Sequence, residues 1–243
     1  MKNAVRSEVS DQRDYYARTA EHYDAMHVNP TDEHGKALCV FMELAELSGP
    51  VESVLDVGAG TGRAIQKLKK RWKDTKITGI EPVEALRQIG HKNGISENEL
   101  VAGDALNFAF EDNSFDYVIE TGALHHIATP LVAVEEMVRV ARKGVMISDS
   151  NNVGQGNSYS RTIKFLLKRL GLWPAMVWLQ TGGKMFKQSE GDGVYYSFSA
   201  FDCIPVLRKK FPAIHCMNTT KSAGFNLYSD ASHVVIFASK ENN

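Results

Sequence analysis

The chain has 243 residues, of which 43% are hydrophobic and 23% charged. These values are typical of a globular domain and exclude disordered, collagen-like and coiled-coil chains. Its 28 Lys and Arg residues almost balance its 29 Asp and Glu residues, so the net charge of -1 disfavours a nucleic-acid partner. The N-terminus lacks the apolar segment of a secretion signal, and the 3 cysteines are widely spaced. We therefore expect one cytoplasmic domain over residues 1–243, with a small-molecule substrate, no nucleic acid and no metal.

The N-terminal part, over 11–48, is predicted to form helices that cap the domain. Strands and helices then alternate over 51–150, with strands expected at 51–57, 76–80, 100–102, 115–119 and 145–148. This alternation is typical of a parallel sheet with helices on both faces, which binds ligands beyond the carboxyl ends of its strands. An acidic residue lies at each of these ends: Asp56, Glu81, Asp104, Glu120 and Asp149.

Residues 151–199 break the alternation and are predicted to form a substrate lid, followed over 200–243 by a helix and a pair of strands. Within the lid, 161–170 is an amphipathic, basic helix that precedes Trp173 and Trp178. One interpretation is a packed helix with a solvated basic edge. The other is a surface for a lipid, an anionic substrate or a peripheral membrane contact through Arg161 to Trp178.

The most informative segment is the glycine loop after the first strand, Gly58-Ala59-Gly60-Thr61-Gly62. Glycines there permit a tight turn and let a ligand approach the backbone. Arg63 stands where the dinucleotide fingerprint has its last glycine. Asp56 would repel a pyrophosphate but suits a ligand that carries an ammonium or sulfonium charge. Glu81 then offers two oxygens to a ribose, and Asp104 lies where an adenine amino group would be expected.

These motifs, together with 115–119, the Leu-His-His-Ile segment at 124–127 and 139–144, resemble those of class I S-adenosylmethionine-dependent methyltransferases. The closer resemblance is to the UbiE-like branch, which acts on small molecules, and it covers about residues 14–149. It implies an α/β fold, with a Rossmann-like doubly wound sheet of seven strands. The sheet would be mostly parallel with an antiparallel last strand, and would carry N-terminal helices and a lid insert.

The resemblance also implies S-adenosylmethionine as cofactor. The glycine loop and Asp56 would contact its methionine part, Glu81 its ribose, and Asp104 with Ala105 its adenine. Glu120 and Thr121 would lie under the sulfonium, and two tyrosines would close over it. The full set of expected cofactor residues is Asp56, Gly58, Gly60, Gly62, Glu81, Asp104, Ala105, Glu120, Thr121, Tyr16 and Tyr23.

The candidate catalytic residues are His125, His126 and Asp149, which follow the fourth and fifth strands. A base is useful when the methyl acceptor is a hydroxyl. The expected reaction is methyl transfer to oxygen or nitrogen, less often carbon, of a small molecule such as a saccharide, a lipid-linked precursor or a quinone. Two alternatives remain at this point: a non-catalytic binder of an adenosyl ligand, and a nicotinamide-dependent oxidoreductase. The oligomeric state is not indicated by the sequence.

Overall fold

The computed structural model describes residues 2–29, 31–220, 224 and 226–240, without the side chains of 2–7 and 27. Its N-terminal part consists of helices α1 (Lys2–Thr19), α2 (Tyr23–His27) and α3 (Glu33–Leu47). The helices predicted over 11–48 are present, but the first begins before residue 11, and a 3-10 turn, Ala20–His22, separates it from the second. This interruption redirects the chain, and the Tyr23 ring lies on the glycine loop.

The central part contains five strands and three helices in alternation. They are β1 (Ser53–Val57), α4 (Arg63–Arg71), β2 (Lys76–Ile80), α5 (Glu84–Lys92), β3 (Leu100–Val101), β4 (Phe115–Thr121), α6 (Pro130–Val140) and β5 (Ala141–Ser150). Gly144 lies inside β5. A Cβ there would lie 2.5 Å from the Ala238 carbonyl and 3.1 Å from the Tyr117 ring, so close packing within the sheet explains this glycine.

The lid follows as two helices and a hairpin: α7 (Ser158–Arg169), α8 (Trp173–Gln180), β6 (Phe186–Ser189) and β7 (Gly193–Tyr196). The chain then forms a 3-10 turn (Ala200–Cys203), α9 (Ile204–Leu207), β8 (Ala213–Asn218), α10 (Leu227–Asp230) and β9 (His233–Ser239). The single helix expected near 200–210 is thus two short helical turns. Among the described residues, no helix is long and apolar enough to cross a membrane.

Seven strands form one sheet in the order β3-β2-β1-β4-β5-β9-β8. All neighbours run parallel except β9, which is inserted between β5 and β8 and is antiparallel to both. This topology confirms the predicted α/β sheet with an antiparallel last strand. Apolar clusters cover both of its faces, so the strands are rigidly held and their carboxyl ends define a fixed edge.

Candidate active site

The glycine loop joins β1 to α4 with left-handed backbone angles. The φ values are 69° at Gly58 and 57° at Gly60. Residues other than glycine rarely adopt this region of backbone conformation. A Cβ on Gly60 would lie 2.9 Å from the Tyr23 hydroxyl, and one on Gly58 would lie 2.5 Å from Cβ of Ala123. The loop therefore has no space for side chains on either side.

Glu81 ties this loop to the end of β2. Its buried carboxylate accepts hydrogen bonds from the backbone N–H of Gly60 at 3.0 Å and of Val83 at 2.8 Å. Burial raises the pKa of Glu81, although both hydrogen bonds oppose that shift. The carboxylate is thus oriented by the backbone before any ligand binds.

Asp56 lies next to the last residue of β1, and its hydrogen bonding differs from that of Glu81. It is 1% exposed, and its Oδ1 has no hydrogen-bond partner among the described residues. Burial raises the pKa of its carboxyl to about 7, while Arg63 acts in the opposite direction. A buried carboxylate oxygen without a donor is costly, so this position fits a ligand that brings a cationic donor.

A cavity of about 190 Å³ lies between α1, α2 and the carboxyl ends of β1, β2 and β4. It brings together eight of the residues predicted from the sequence: Tyr16, Tyr23, Gly58, Glu81, Asp104, Ala105, Thr121 and His126. We call it the cofactor cavity. Asp56, Gly60, Gly62 and Glu120 are not among its lining residues. Asp104 is half-exposed and bonds to Arg13 of α1 at 2.9 Å, a partner that the sequence did not indicate.

Glu120 is fully buried, and its role in the structure is local. Its Oε1 accepts hydrogen bonds from the backbone N–H of Ala123 and, at 3.2 Å, of Leu124. These bonds hold the start of the 3-10 turn Leu124–His126. Glu120 thereby positions the histidine pair that follows, and its predicted contact beneath a sulfonium stays a prediction.

His125 and Asp149 form a buried ion pair. Nδ1 of His125 lies 2.7 Å from Oδ1 of Asp149, which is inaccessible to solvent. Burial alone would lower the pKa of His125, but the Asp149 and Asp192 carboxylates raise it to about 10. Burial likewise opposes ionisation of Asp149, yet His125 keeps its pKa well below the usual range. His125 is therefore a cation at neutral pH.

His126 has a different environment, although its ring centroid lies only 4.0 Å from that of His125. Its Nδ1 is 2.6 Å from the Val194 carbonyl, which requires a proton on that nitrogen. Its Nε2 lies 3.0 Å from the Tyr16 hydroxyl, which can then donate to it. The arrangement directs Nδ1 to the Val194 carbonyl and Nε2 to the Tyr16 hydroxyl, and His126 lines the cavity that Tyr16 also lines.

Asp192, in the turn between β6 and β7, completes this cluster. Its carboxylate oxygens lie 3.5 Å from Nε2 of His125 and 3.4 Å from Nε2 of His126. Gln12 of α1 holds the hairpin by donating to the Asp192 carbonyl at 3.2 Å and accepting from the Val194 N–H. Asp192 was not among the site residues predicted from the sequence. The one available signal was an acidic residue between two glycines.

Ligand atoms of His125, His126 and Asp192 lie within 4.8 Å of one another, which is close enough to hold a metal ion. A metal requires unprotonated ring nitrogens, however. His125 is held as a cation by its carboxylates, and the Tyr16 hydroxyl already approaches Nε2 of His126. In this structure Asp192 therefore pairs with the cationic His125 and lies 3.4 Å from Nε2 of His126.

A second cavity, of about 630 Å³, lies beneath the lid. We call it the lid cavity. Its lining is rich in aromatic side chains, with His125 and Asp192 at the end nearest the sheet. The aromatic residues are Tyr159, Trp173, Phe186, Tyr195, Tyr196 and Phe198. Because His126 lines the cofactor cavity and His125 the lid cavity, the two cavities adjoin at the histidine pair.

Residues 55–148 match the family model described as a methyltransferase domain. A demethylmenaquinone methyltransferase of Staphylococcus aureus strain MRSA252 is 43% identical over 96 residues, which make up 38% of this chain and 40% of that protein. The chain thus matches less than half the length of this curated relative. Residues 55–148, which match the family model, contain the glycine loop, Glu81 and the histidine pair.

Solved structures resemble nearly the whole chain. The 1,6-didemethyltoxoflavin-N1-methyltransferase of Burkholderia thailandensis superimposes with a TM-score of 0.61 at 17% identity, covering 97% of this chain and 90% of that one. Phosphoethanolamine N-methyltransferase 2 of Haemonchus contortus does so with a TM-score of 0.60 at 17% identity, covering 94% and 60%. Both were solved with S-adenosylhomocysteine. At these identities the likeness establishes the fold.

The sheet topology, the glycine loop and the family match define a Rossmann-like methyltransferase domain. Residues 55–148 thus form the matched methyltransferase domain, and the curated relative that matches part of the chain is a demethylmenaquinone methyltransferase.

Proposed function

We propose that this protein transfers a methyl group from S-adenosylmethionine to an oxygen or nitrogen atom of a small molecule bound in the lid cavity. The observation that carries this proposal is the junction of the two cavities. His126 lines the cofactor cavity, His125 and Asp192 line the lid cavity, and the two imidazole rings are 4.0 Å apart. A donor and an acceptor bound on the two sides would meet at this junction.

The residues present fit the cofactor. The unpartnered Oδ1 of Asp56 matches an ammonium group, and the Glu81 carboxylate, already oriented by two N–H groups, matches a pair of hydroxyls. Tyr16 and Tyr23 contribute aromatic rings to the lining of the cavity. When bound, S-adenosylmethionine supplies an electrophilic methyl group on its sulfonium sulfur.

The protein's contribution is alignment, a dry site and proton transfer. We assign the proton-accepting role to Nε2 of His126, because Nδ1 is engaged by the Val194 carbonyl and an acceptor hydroxyl would take the place of the Tyr16 hydroxyl at Nε2. His125 is held as a cation between Asp149 and Asp192, so we assign to it the orientation of the acceptor. Asp149 keeps that ring in place.

The lining of the lid cavity favours an aromatic acceptor. Six aromatic side chains line it, and flat rings stack well on such walls. The demethylmenaquinone and toxoflavin methyltransferases similar to this chain act, by their names, on ring compounds, which supports the same assignment. We therefore propose a quinone-like or heteroaromatic acceptor over a saccharide.

Calorimetric titration with S-adenosylmethionine and with NADH tests the cofactor, and we expect binding of the first alone. Wild-type affinity in Asp56→Ala would contradict the assignment. Incubation with methyl-labelled cofactor and separate lipid-soluble and polar metabolite pools then tests turnover. We expect a labelled product in the lipid-soluble pool. Labelled product in neither pool would favour the non-catalytic binder.

His126→Ala tests the proton-accepting role, with the exposed His22→Ala as control. We expect the rate of labelled product formation to fall by roughly a hundredfold with little change in cofactor affinity, as for loss of a general base. A loss of cofactor affinity that accounts for the whole effect would instead give His126 a binding role.

A further inference from the structure

The lid helices expose an unusual amount of apolar surface. No residue of α7 is buried, and in α8 only Val177 is. On α7 the apolar residues recur at steps of three and four, which places them on one face. The large exposed or half-exposed apolar side chains of this region, which we call the lid face, are Tyr159, Ile163, Leu166, Leu170, Leu172, Trp178, Leu179 and Met185.

The same region has a marked charge asymmetry. Residues 150–189 contain six basic side chains and no Asp or Glu, although the whole chain carries a net charge of -1. The basic residues are Arg161, Lys164, Lys168, Arg169, Lys184 and Lys187. Lys168 pairs with Asp202, whereas Arg169 and Lys184 are exposed beside the apolar side chains.

We propose that the lid face docks on an anionic lipid surface. An amphipathic helix with basic flanks and exposed Leu and Trp side chains binds the boundary between headgroups and acyl chains. The basic side chains then lie against phosphates, which adds electrostatic attraction. A second copy of the chain fits this face less well, because a two-fold contact would bring two basic surfaces together.

The lid face is continuous with the lid cavity. Tyr159 and Ile163 belong to both, so the cavity opens beside the surface that would contact lipid. On the proposed function, an acceptor dissolved in the bilayer would then reach the histidine pair without crossing water. Docking itself does not depend on that function and can be measured without any methyl transfer.

The test is sedimentation of the purified full chain with vesicles of phosphatidylcholine alone or mixed with phosphatidylglycerol. We expect binding to the mixed vesicles only, and less of it at high salt. Arg169→Gln with Lys184→Gln should weaken binding roughly thirtyfold, since each basic residue near an anionic surface contributes roughly fivefold. The matched control is Lys70→Gln with Lys73→Gln, two exposed lysines outside the lid.

A second variant set tests the apolar contribution. Leu166→Gln, Leu170→Gln and Leu179→Gln together should weaken binding roughly a hundredfold, because withdrawing each half-exposed leucine from lipid is worth roughly fivefold. Leu47→Gln, at a side chain 77% exposed outside the lid, should change nothing. These residues are exposed, so we expect unchanged circular dichroism and melting temperature.

Three outcomes would overturn the proposal. One is that the protein does not sediment with the mixed vesicles. Another is that the lid variants and the control variants lose vesicle binding equally. The third is a concentration-dependent dimer, measured by analytical ultracentrifugation, that the leucine variants abolish while vesicle binding stays absent. That result would make the lid face an interface between copies of the chain.

Discussion

His125 and Asp149 are joined across the ends of β4 and β5 by an ion pair 2.7 Å long, with the carboxylate inaccessible to solvent. The second carboxylate oxygen accepts from the His125 backbone N–H at 3.2 Å. One buried aspartate therefore fixes both the ring and the main chain of His125. The same ion pair therefore contributes to the stability of the protein and to the position of His125 in the site.

Replacing Asp149 by asparagine should destabilise the protein, because a buried charge then loses its partner. We expect the free energy of unfolding to fall by about 3 kcal/mol, measured by urea denaturation at pH 7. Glu135→Gln is the control, since its ion pair with Lys209 is largely exposed and should cost under about 1 kcal/mol. Similar losses in the two variants would contradict the buried-pair account.

The same pair predicts a pH dependence. The folded-state pKa of His125 is about 10, against 6.5 in the unfolded chain. A raised pKa contributes stability that is fully present below pH 6.5 and is lost as the pH rises toward 10. Denaturation midpoints of the wild type should therefore fall over this window. Asp149→Asn should show a weaker dependence, and an identical slope would argue against His125 as its source.

Asp56 predicts a pH dependence of cofactor affinity. Burial raises the pKa of Asp56 to about 7, and only the ionised form attracts a cationic ligand. Affinity for S-adenosylmethionine, measured by calorimetry, should therefore weaken as the pH falls from 8 to 6. Asp56→Asn should bind roughly thirtyfold more weakly, with little pH dependence over this range. A wild-type pH profile in that variant would assign the effect to another group.

Gly60 should tolerate no side chain. In Gly60→Ala the new Cβ would lie 2.9 Å from the Tyr23 hydroxyl, at a backbone φ of 57°. Gly94→Ala is a matched control, because Gly94 also has a positive φ, of 90°, but has nothing within 4 Å of its Cβ position. We expect both to lose about 1 kcal/mol from backbone strain. Gly60→Ala alone should also lose cofactor affinity, whereas equal effects on binding would exclude the steric explanation.

Gln12 should control the lid hairpin. Its amide bonds to the backbone of Asp192 and of Val194, in a segment 180 residues away along the chain. Gln12→Ala leaves the Val194 N–H without this partner, so hydrogen exchange should speed up over 186–196, corresponding to about 1–3 kcal/mol of local stability. The control is Gln66→Ala, whose exposed bond to Asn93 is 3.5 Å long. If hydrogen exchange in Gln12→Ala were faster only in the N-terminal helix, other contacts would be holding the hairpin.

Much of the cofactor side was predictable from sequence, because its signals are local. Gly58 to Gly62 lie within one turn, and Glu81 and Asp104 each follow a short apolar strand. Parallel strands bring their carboxyl ends to one edge, so residues far apart in sequence become neighbours once the alternation is recognised. The antiparallel last strand was predictable only through the family resemblance that these motifs carry.

The arrangement of Asp192 and the histidine pair depends on tertiary contacts and could not be predicted from the sequence. Asp192 reaches the histidine pair only because the hairpin folds back over the sheet, and Gln12 holds it there from the first helix. No local pattern indicates which of two adjacent histidines pairs with Asp149 and which faces Tyr16. That choice follows from the packing of β5, α1 and the hairpin around one 3-10 turn. The sequence by itself therefore determined the frame of the sheet and the glycine loop, and the tertiary structure decided how His125, His126 and Asp192 come together, because their contacts join segments far apart in the chain.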